Sequence, residues 1–191
     1  MKLAFSAAMA LALIGASLAQ AQAPQAAPPM PGPGGGAPQG APRGPRAPEV
    51  PAPSIPIDVA VAAAKAAQTA CAGFHFGFAI LDQSGQPKLI YILDGSAGSH
   101  ATRAVGKASS ALLINGPSEG LTDRAAADPA IAAKVQAAKD SGKPMMAMAG
   151  GLPIVVNGQA LGAIGVSGAE PGGHDPECAA AAMKVIQAQV K

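Results

Sequence analysis

The pattern of apolar and polar positions is most informative around Asn157 and Gly158, where two apolar runs flank a two-residue turn. Asn-Gly supplies the two positive φ angles of a type I′ turn, so the pattern predicts a β-hairpin over residues 150–168. A hairpin with one face in water would alternate apolar with polar residues, and this one does not. We therefore expect helices on both faces of the sheet. The second run is apolar on both faces, one formed by Leu161 and Ala163 and the other by Ile164 and Val166.

Earlier in the chain, the spacing of apolar residues predicts a helix followed by another hairpin. The helix extends from about Ile57 to Ala72 and ends at Gly73, a residue suited to the left-handed position after a helix. A turn over residues 82–85 then joins strands at about 74–81 and 88–93. In the first of these strands, the face that contains His75 has side chains small enough for a helix to approach closely. The buried stripe of the helix is expected to contain Ile57, Ala60, Val61, Ala64 and Cys71.

After the loop 94–98, a second helix is expected to bury Ala101, Ala104, Val105, Ala108 and Leu112 and to turn Ser99, Arg103 and Lys107 to solvent. Asp128 followed by Pro129 is typical of a helix start and predicts a helix to about Asp140. The pair Asp175 and Pro176 predicts the same start for the last helix. Residues 145–149 are expected to form a short strand, while residues 117–128 show no clear pattern.

Composition divides the chain into three parts. Residues 1–21 resemble a secretory signal peptide, with Lys2 before an apolar run and a cleavage site at Ala19 or Ala21, so the mature protein is expected to be periplasmic or secreted. An uncleaved membrane anchor is the alternative, and we favour a chain without a stable anchor. Residues 22–56 hold 12 of the 19 prolines and predict a disordered spacer, or a Pro-rich ligand segment. Residues 57–191 form the folded domain.

Charge argues against nucleic acid as a partner. Residues 57–191 carry ten acidic and ten basic side chains, so the excess of positive charge comes from Lys2, Arg43 and Arg46 outside the domain. Nucleic-acid surfaces need a clustered basic footprint, and single-stranded binding also needs aromatic platforms. The chain has only four Phe, one Tyr and no Trp.

Several segments have a specific spacing: residues 80–85, residues 94–96, Lys107 with Ala108, and the glycine-rich stretches 150–154 and 162–168. Together they resemble the GlcG/HbpS family of haem-binding-type domains. The resemblance implies an α+β, profilin-like three-layer α/β/α sandwich with a five-stranded antiparallel sheet of order 2-1-5-4-3. The element order predicted above, α-β-β-α-α-β-β-β-α, fits this fold. The resemblance also implies haem as the ligand and a homo-oligomer. One departure concerns the ligand: Ile92 stands where the family often has an Arg before Asp94.

Haem iron needs an axial ligand, and the candidates are His75, His100, His174, Met145, Met146 and Met148. His100 is preferred because it lies at a helix start after the loop that contains Asp94 and Gly95. A surface histidine is the alternative for this position. We expect His75 to pack beneath a helix and His174 to be a loop residue.

Other candidate ligand contacts are Lys107, Gly150, Gly151, Ser167 and Gly168. The glycines allow a ligand to approach backbone amides, or they allow close helix packing and tight turns. Lys107 suits an acidic ligand, or it lies on a solvated helix face. No nucleophile elbow, metal-binding histidine pair or phosphate loop supports catalysis.

The resembled sheet also implies a disulfide between Cys71 and Cys178, because it makes the strands beside these cysteines antiparallel neighbours. An exported chain with exactly two cysteines favours the bond, and two free buried thiols are the alternative. The sequence therefore predicts a non-catalytic, exported protein that binds a small ligand, most simply haem. A ligand-free oligomeric accessory module, or an enzyme acting on a small organic acid or a tetrapyrrole, are the other hypotheses.

Overall fold

The computed structural model of the protein describes residues 53–190. The predicted signal peptide with its cleavage site, and the predicted spacer up to residue 52, lie outside the described residues. No helix within residues 53–190 has both the length and the apolarity needed to cross a membrane. The described helices are α1 (Ile57–Ala70), α2 (Ser99–Ile114), α3 (Leu121–Ala127), α4 (Pro129–Asp140) and α5 (Asp175–Gln189), with a 3₁₀ turn at Ser118–Gly120; the strands are β1 (Gly77–Asp82), β2 (Pro87–Ile92), β3 (Gly151–Val156) and β4 (Gln159–Ser167).

The four strands form one antiparallel sheet in the order β2-β1-β4-β3. Helices α1 and α5 pack on one face, over a core that includes Phe76, Phe78 and Ile164. Helix α2 packs on the other face against Leu81 and Ala163. The prediction of an antiparallel sheet with helices on both faces is thus confirmed.

The prediction of five strands is wrong, because residues 145–149 do not pair with the sheet. Their backbone groups bond elsewhere: the Met146 amide donates to the Gly106 carbonyl (3.2 Å) and to Ser110 Oγ (2.8 Å) of α2, and the Met148 carbonyl accepts from Ser118 Oγ (2.5 Å). A strand needs these groups for its ladder. The predicted strand order 2-1-5-4-3 therefore loses its edge strand 3. The predicted strands 4 and 5 are β3 and β4 of the structure, so the remaining order 2-1-5-4 agrees with the observed order β2-β1-β4-β3.

The element order also differs, since α3 forms in the segment that had no clear pattern. Helix α4 agrees with the prediction, and the Asp128 side chain caps it by accepting from the Ala130 amide at 2.8 Å. Asp175 is not the N-cap of α5: His174 holds that position, and the Asp175 carboxylate bonds elsewhere.

The structure corrects the predicted buried face of α1 and the predicted position of Leu161 in β4. Ile57 is 55% exposed, because the buried stripe of α1 is formed by Val59, Ala60, Ala63, Ala64 and Ala67. Leu161 lies in the core beneath α1 and α5 and not on the face of Ala163, because the β3–β4 register shifts after Ile154 and places an extra residue in β4. Such a bulge reverses the alternation of side chains beyond it.

The turn between β1 and β2 is organised by the Asp82 carboxylate. It accepts from the Ser84 amide (2.8 Å), the Ser84 hydroxyl (2.7 Å) and the Gln86 amide (2.9 Å). Although partial burial acts to raise the pKa of Asp82, the hydrogen bonds from Ser84 and Gln86 lower it below its ordinary value. The charged form is therefore stabilised by folding.

We expect this carboxylate to contribute pH-dependent stability. Because its folded-state pKa is depressed, the contribution is fully present above the unfolded value of about 4 and is lost as the pH falls through the lower folded value. Asp82→Asn should lower the free energy of unfolding at pH 7 by about 1 kcal/mol and flatten its decline below pH 4. Urea unfolding at pH 7 and at values below pH 4, followed by circular dichroism, measures both effects. Asp123→Asn, an exposed control, should change neither quantity.

Candidate functional site

His75 is held by a backbone hydrogen bond that leaves its other ring nitrogen available. Its Nδ1 lies 2.6 Å from the carbonyl oxygen of Asp94. A carbonyl oxygen only accepts, so Nδ1 carries the proton of the neutral ring and Nε2 presents its lone pair. Nε2 makes no hydrogen bond to residues 53–190, and the side chain is exposed. The prediction that His75 packs beneath a helix is wrong.

Two glycines with positive φ place His75 and its partner. Helix α1 ends at Ala70 with Cys71 as its C-cap, and Gly73 (φ +93°) lies in the turn that follows, before β1. Gly95 (φ +77°) follows Asp94, and a Cβ built on it would lie 3.0 Å from His75 Nδ1. A side chain at position 95 would therefore crowd the ring as well as strain the backbone. The sequence prediction placed Asp94 and Gly95 beside the ligand histidine His100, and in the structure both contact His75.

His75 opens onto a groove of about 430 Å³ at the end of the sheet where β1 begins and β2 ends. This volume is within the range of small-molecule sites. We name it the His75 groove; its lining includes Gln68, Phe74, His75, Tyr91, Ile92, Leu93 and Asp94. The Tyr91 hydroxyl donates to Gln68 Oε1 at 2.9 Å, which fixes one polar wall, while Phe74, Ile92 and Leu93 supply apolar side chains.

His100, the preferred ligand from sequence, lies at the start of α2 in a different environment. Its Nδ1 is 3.1 Å from the Ser96 hydroxyl, and the ring lies so close to Gly168 that any Cβ there would collide with it. Gly168 is therefore a packing glycine for His100. The side chain is half-buried and does not line the His75 groove. A hydroxyl both donates and accepts, so this contact does not fix the tautomer of the ring.

Lys107 and Asp175 form a buried ion pair between α2 and the start of α5. Lys107 Nζ lies 2.6 Å from Asp175 Oδ2, and the two residues are only 1% and 6% exposed. The second carboxylate oxygen, Oδ1, accepts from the Ala169 amide at 2.8 Å. The prediction that Lys107 turns to solvent is wrong, and its ammonium is occupied by an internal carboxylate.

The glycines beside this pair serve close packing. A Cβ on Gly150 would lie 2.6 Å from Asp175 Cβ and 3.3 Å from Lys107 Nζ. A Cβ on Gly151 would meet the Lys107 carbonyl and Ser118 Oγ, the latter at 2.6 Å. Ser167 is buried in β4 opposite Gly77. The predicted site residues thus divide into two groups, one at the His75 and His100 end of the sheet and one around the Lys107–Asp175 pair.

His174 has contacts that the sequence did not indicate. Its ring stacks on Phe74 with centroids 4.9 Å apart, and Nδ1 lies 2.7 Å from Glu177 Oε2. Phe74 also lines the His75 groove, so His174 supports one wall of the groove from behind. Within residues 53–190, no three His, Cys, Asp or Glu side chains are grouped as metal ligands.

Three residues of these sites were missed or misplaced from sequence. Lys107, which we expected on the solvent face, lies three residues after Ala104 and four before Ala111, a helical spacing that also fits the buried stripe of α2. Local pattern indicated Asp175 only as a helix start and not as the partner of Lys107, which is 68 residues away in the chain. The same holds for His75, whose bond to Asp94 depends on how the ends of β1 and β2 meet.

Comparisons with known proteins agree with the fold. A family model described as haem degrading protein HbpS-like matches residues 55–184. A double mutant of HbpS from Streptomyces reticuli is 28% identical, with a TM-score of 0.61, over 78% of this chain and 99% of that one. No curated protein matches the chain in sequence.

Two less similar structures share the fold. Protein ORFY from Klebsiella pneumoniae is 22% identical, with a TM-score of 0.61, over 76% of this chain and 99% of that one. PduOC, solved as a complex with haem, is 18% identical, with a TM-score of 0.58, over 70% of this chain and 95% of that one.

Proposed function

The chain belongs to the HbpS-like family of haem-degrading proteins, and from this premise we propose that it is an exported haem-binding protein in which His75 supplies the iron ligand. The hydrogen bond between His75 Nδ1 and the Asp94 carbonyl carries this proposal. Histidines that bind metals commonly donate their other N–H to a carbonyl or a carboxylate, which fixes the tautomer and the ring orientation. His75 has this arrangement, and its Nε2 lies on an exposed side chain in a groove.

The lining of the His75 groove suits the apolar part of a porphyrin. Phe74, Ile92 and Leu93 offer apolar contacts that exclude water from the side of the ring, and no Lys or Arg is among the lining residues. Ile92 stands where the resembled family often has an Arg, so the propionates would have to face solvent. Bound haem would supply an iron centre for ligand sensing or redox chemistry. The protein would hold the ring and orient His75.

Two further observations support export and self-association. A signal-peptide pattern begins the sequence, and a Cys71–Cys178 disulfide is typical of proteins from oxidising compartments. Strand β2 is an edge of the sheet and carries two exposed apolar side chains, Ile90 and Ile92, at 45% and 49% exposure. Exposed strand edges with apolar residues favour pairing with another chain, here a second copy.

Haemin titration of residues 22–191 tests the proposal. We expect a saturable shift of the Soret band, and His75→Ala should weaken haemin binding by at least about tenfold, because the axial ligand is lost. His100→Ala is the matched control and should bind haemin like the unaltered chain. If His100→Ala abolishes the shift and His75→Ala does not, then His100 is the ligand.

The same titration separates binding from turnover. In air-saturated buffer, which supplies dioxygen as the oxidant, a Soret band that persists after a reductant is added supports a binding or sensing role. A band that bleaches with time, with release of iron, would favour haem degradation, the activity that the family description names. No shift with micromolar haemin would contradict haem binding altogether.

A further inference from the structure

A second cavity, of about 460 Å³, lies between α2, α4 and the β1–β2 turn. We name it the α2–α4 cavity. It shares no lining residue with the His75 groove, so its use does not depend on haem. The residues that matter here are Ser109, Leu112, Leu113, Lys134, Lys143 and Met145.

The apolar wall of this cavity belongs to two separate core clusters. Leu112 packs against the cluster beneath α2, whereas Leu113 and Met145 pack against the cluster between α2, α3 and α4. All three side chains are only partly buried, so each keeps apolar surface exposed where the two clusters meet. This surface remains in contact with water unless a ligand covers it.

The polar groups of the cavity are positively charged or neutral. Lys134 and Lys143 line it, and no acidic residue does. Neither ammonium makes an ion pair or donates a hydrogen bond to any residue in the range 53–190, and the Ser109 hydroxyl has no hydrogen-bond partner in that range. Both lysines are exposed and Ser109 is half-buried, so an anion would replace water at two cations and one hydroxyl.

Within residues 53–190, Lys134 and Lys143 bond neither the last carbonyls of α4 nor an acidic side chain. Cations near a helix C-terminus often bond the last carbonyls, but at the end of α4 the Ala137, Ala138 and Lys139 carbonyls already accept from the backbone amides of residues 141–143. The two acids that adjoin lining residues of the cavity, Asp82 and Asp140, are also engaged. Asp82 accepts three hydrogen bonds within its own turn, and Asp140 accepts from Gln136 Nε2 at 2.7 Å.

We propose that the α2–α4 cavity binds a small amphipathic carboxylate. The carboxylate would take hydrogen bonds from Lys134, Lys143 and Ser109, and its apolar part would cover Leu112, Leu113 and Met145. Charge-assisted hydrogen bonds to a carboxylate are about twice as strong as neutral ones, so they select an acid over a neutral molecule of the same shape.

Titration with sodium octanoate, followed by calorimetry, tests this site in residues 22–191. We expect saturable binding, which Lys134→Gln with Lys143→Gln should weaken by about tenfold or more. Lys184→Gln removes an exposed lysine of α5 as the matched control and should leave binding unchanged. Octan-1-ol should bind much more weakly than octanoate.

Methyl NMR locates the ligand within the protein. The Met145 methyl signal, assigned with Met145→Leu, should move on addition of octanoate, whereas that of the exposed Met148 should not. The proposal is overturned if octanoate does not bind, if the double lysine variant binds it equally well, or if octan-1-ol binds as tightly. Haemin titration of the double variant should still match the unaltered chain, which separates this site from the His75 groove.

Discussion

Lys107→Met is expected to lower the free energy of unfolding by about 3 to 5 kcal/mol, because it leaves the carboxylate of Asp175 buried without its counter-ion. Lys107 and Asp175 are almost completely buried, so water does not replace the lost partner. The Ala169 amide still donates to Asp175 Oδ1, but one neutral hydrogen bond does not balance a buried charge. Far-UV circular dichroism in urea measures the change, since the chain has no Trp and one Tyr.

A second variant tests the cause. Lys107→Met with Asp175→Asn removes both charges while keeping an oxygen that can accept from Ala169, and it should be more stable than Lys107→Met alone. Lys184→Met, on the exposed side of α5, should stay within about 0.5 kcal/mol of the unaltered chain. A loss below about 1 kcal/mol for Lys107→Met would show that the pair is not essential for joining α2 to α5.

Removal of the disulfide is the other change with a large expected effect. The predicted bond between Cys71 and Cys178 is present, and it joins the end of α1 to the first turn of α5 across 107 residues. Closing a loop of this length restricts the unfolded chain, so Cys71→Ala with Cys178→Ala should cost about 2 to 5 kcal/mol. Both sulfurs are buried, and the small alanines add some loss of core packing.

Chemical reduction of the disulfide measures the same contribution to stability without a substitution. The unaltered chain is unfolded in urea with and without dithiothreitol. Reduction should lower its free energy of unfolding by as much as the double alanine substitution does, apart from the loss of core packing in that variant. Thiol labelling of the denatured, unreduced chain should find no free thiol. Equal stability of the oxidised and reduced forms would contradict a stabilising role for this bond.

Local sequence patterns were sufficient for much of the fold. Asn157 and Gly158 adopt the positive φ angles, +52° and +78°, that the predicted turn requires. Asp128 and Pro129 start α4 as expected, because capping depends on groups within one helical turn. Alternation along β1 placed its small residues beneath α2, where a Cβ on Gly77 would lie 2.7 Å from the backbone of His100.

Other parts of the fold depended on competition for hydrogen bonds that local patterns do not describe. Residues 145–149 have the composition of a strand, but α2 and Ser118 take the backbone groups that the strand would use. The bulge in β4 depends on its pairing with β3, and it moves Leu161 to the opposite face. In both cases the partner lies on another element.

The sequence by itself determined the class of the fold, most element boundaries and the presence of candidate histidines, because these depend on side-chain periodicity and on turn chemistry over a few residues. Only the tertiary structure decided that His75 and not His100 opens onto a groove, and that Lys107 is buried against Asp175. The physical reason is that these properties depend on hydrogen bonds and charges between residues 19 and 68 positions apart. Such partners are brought together only when the whole sheet and its helices are packed.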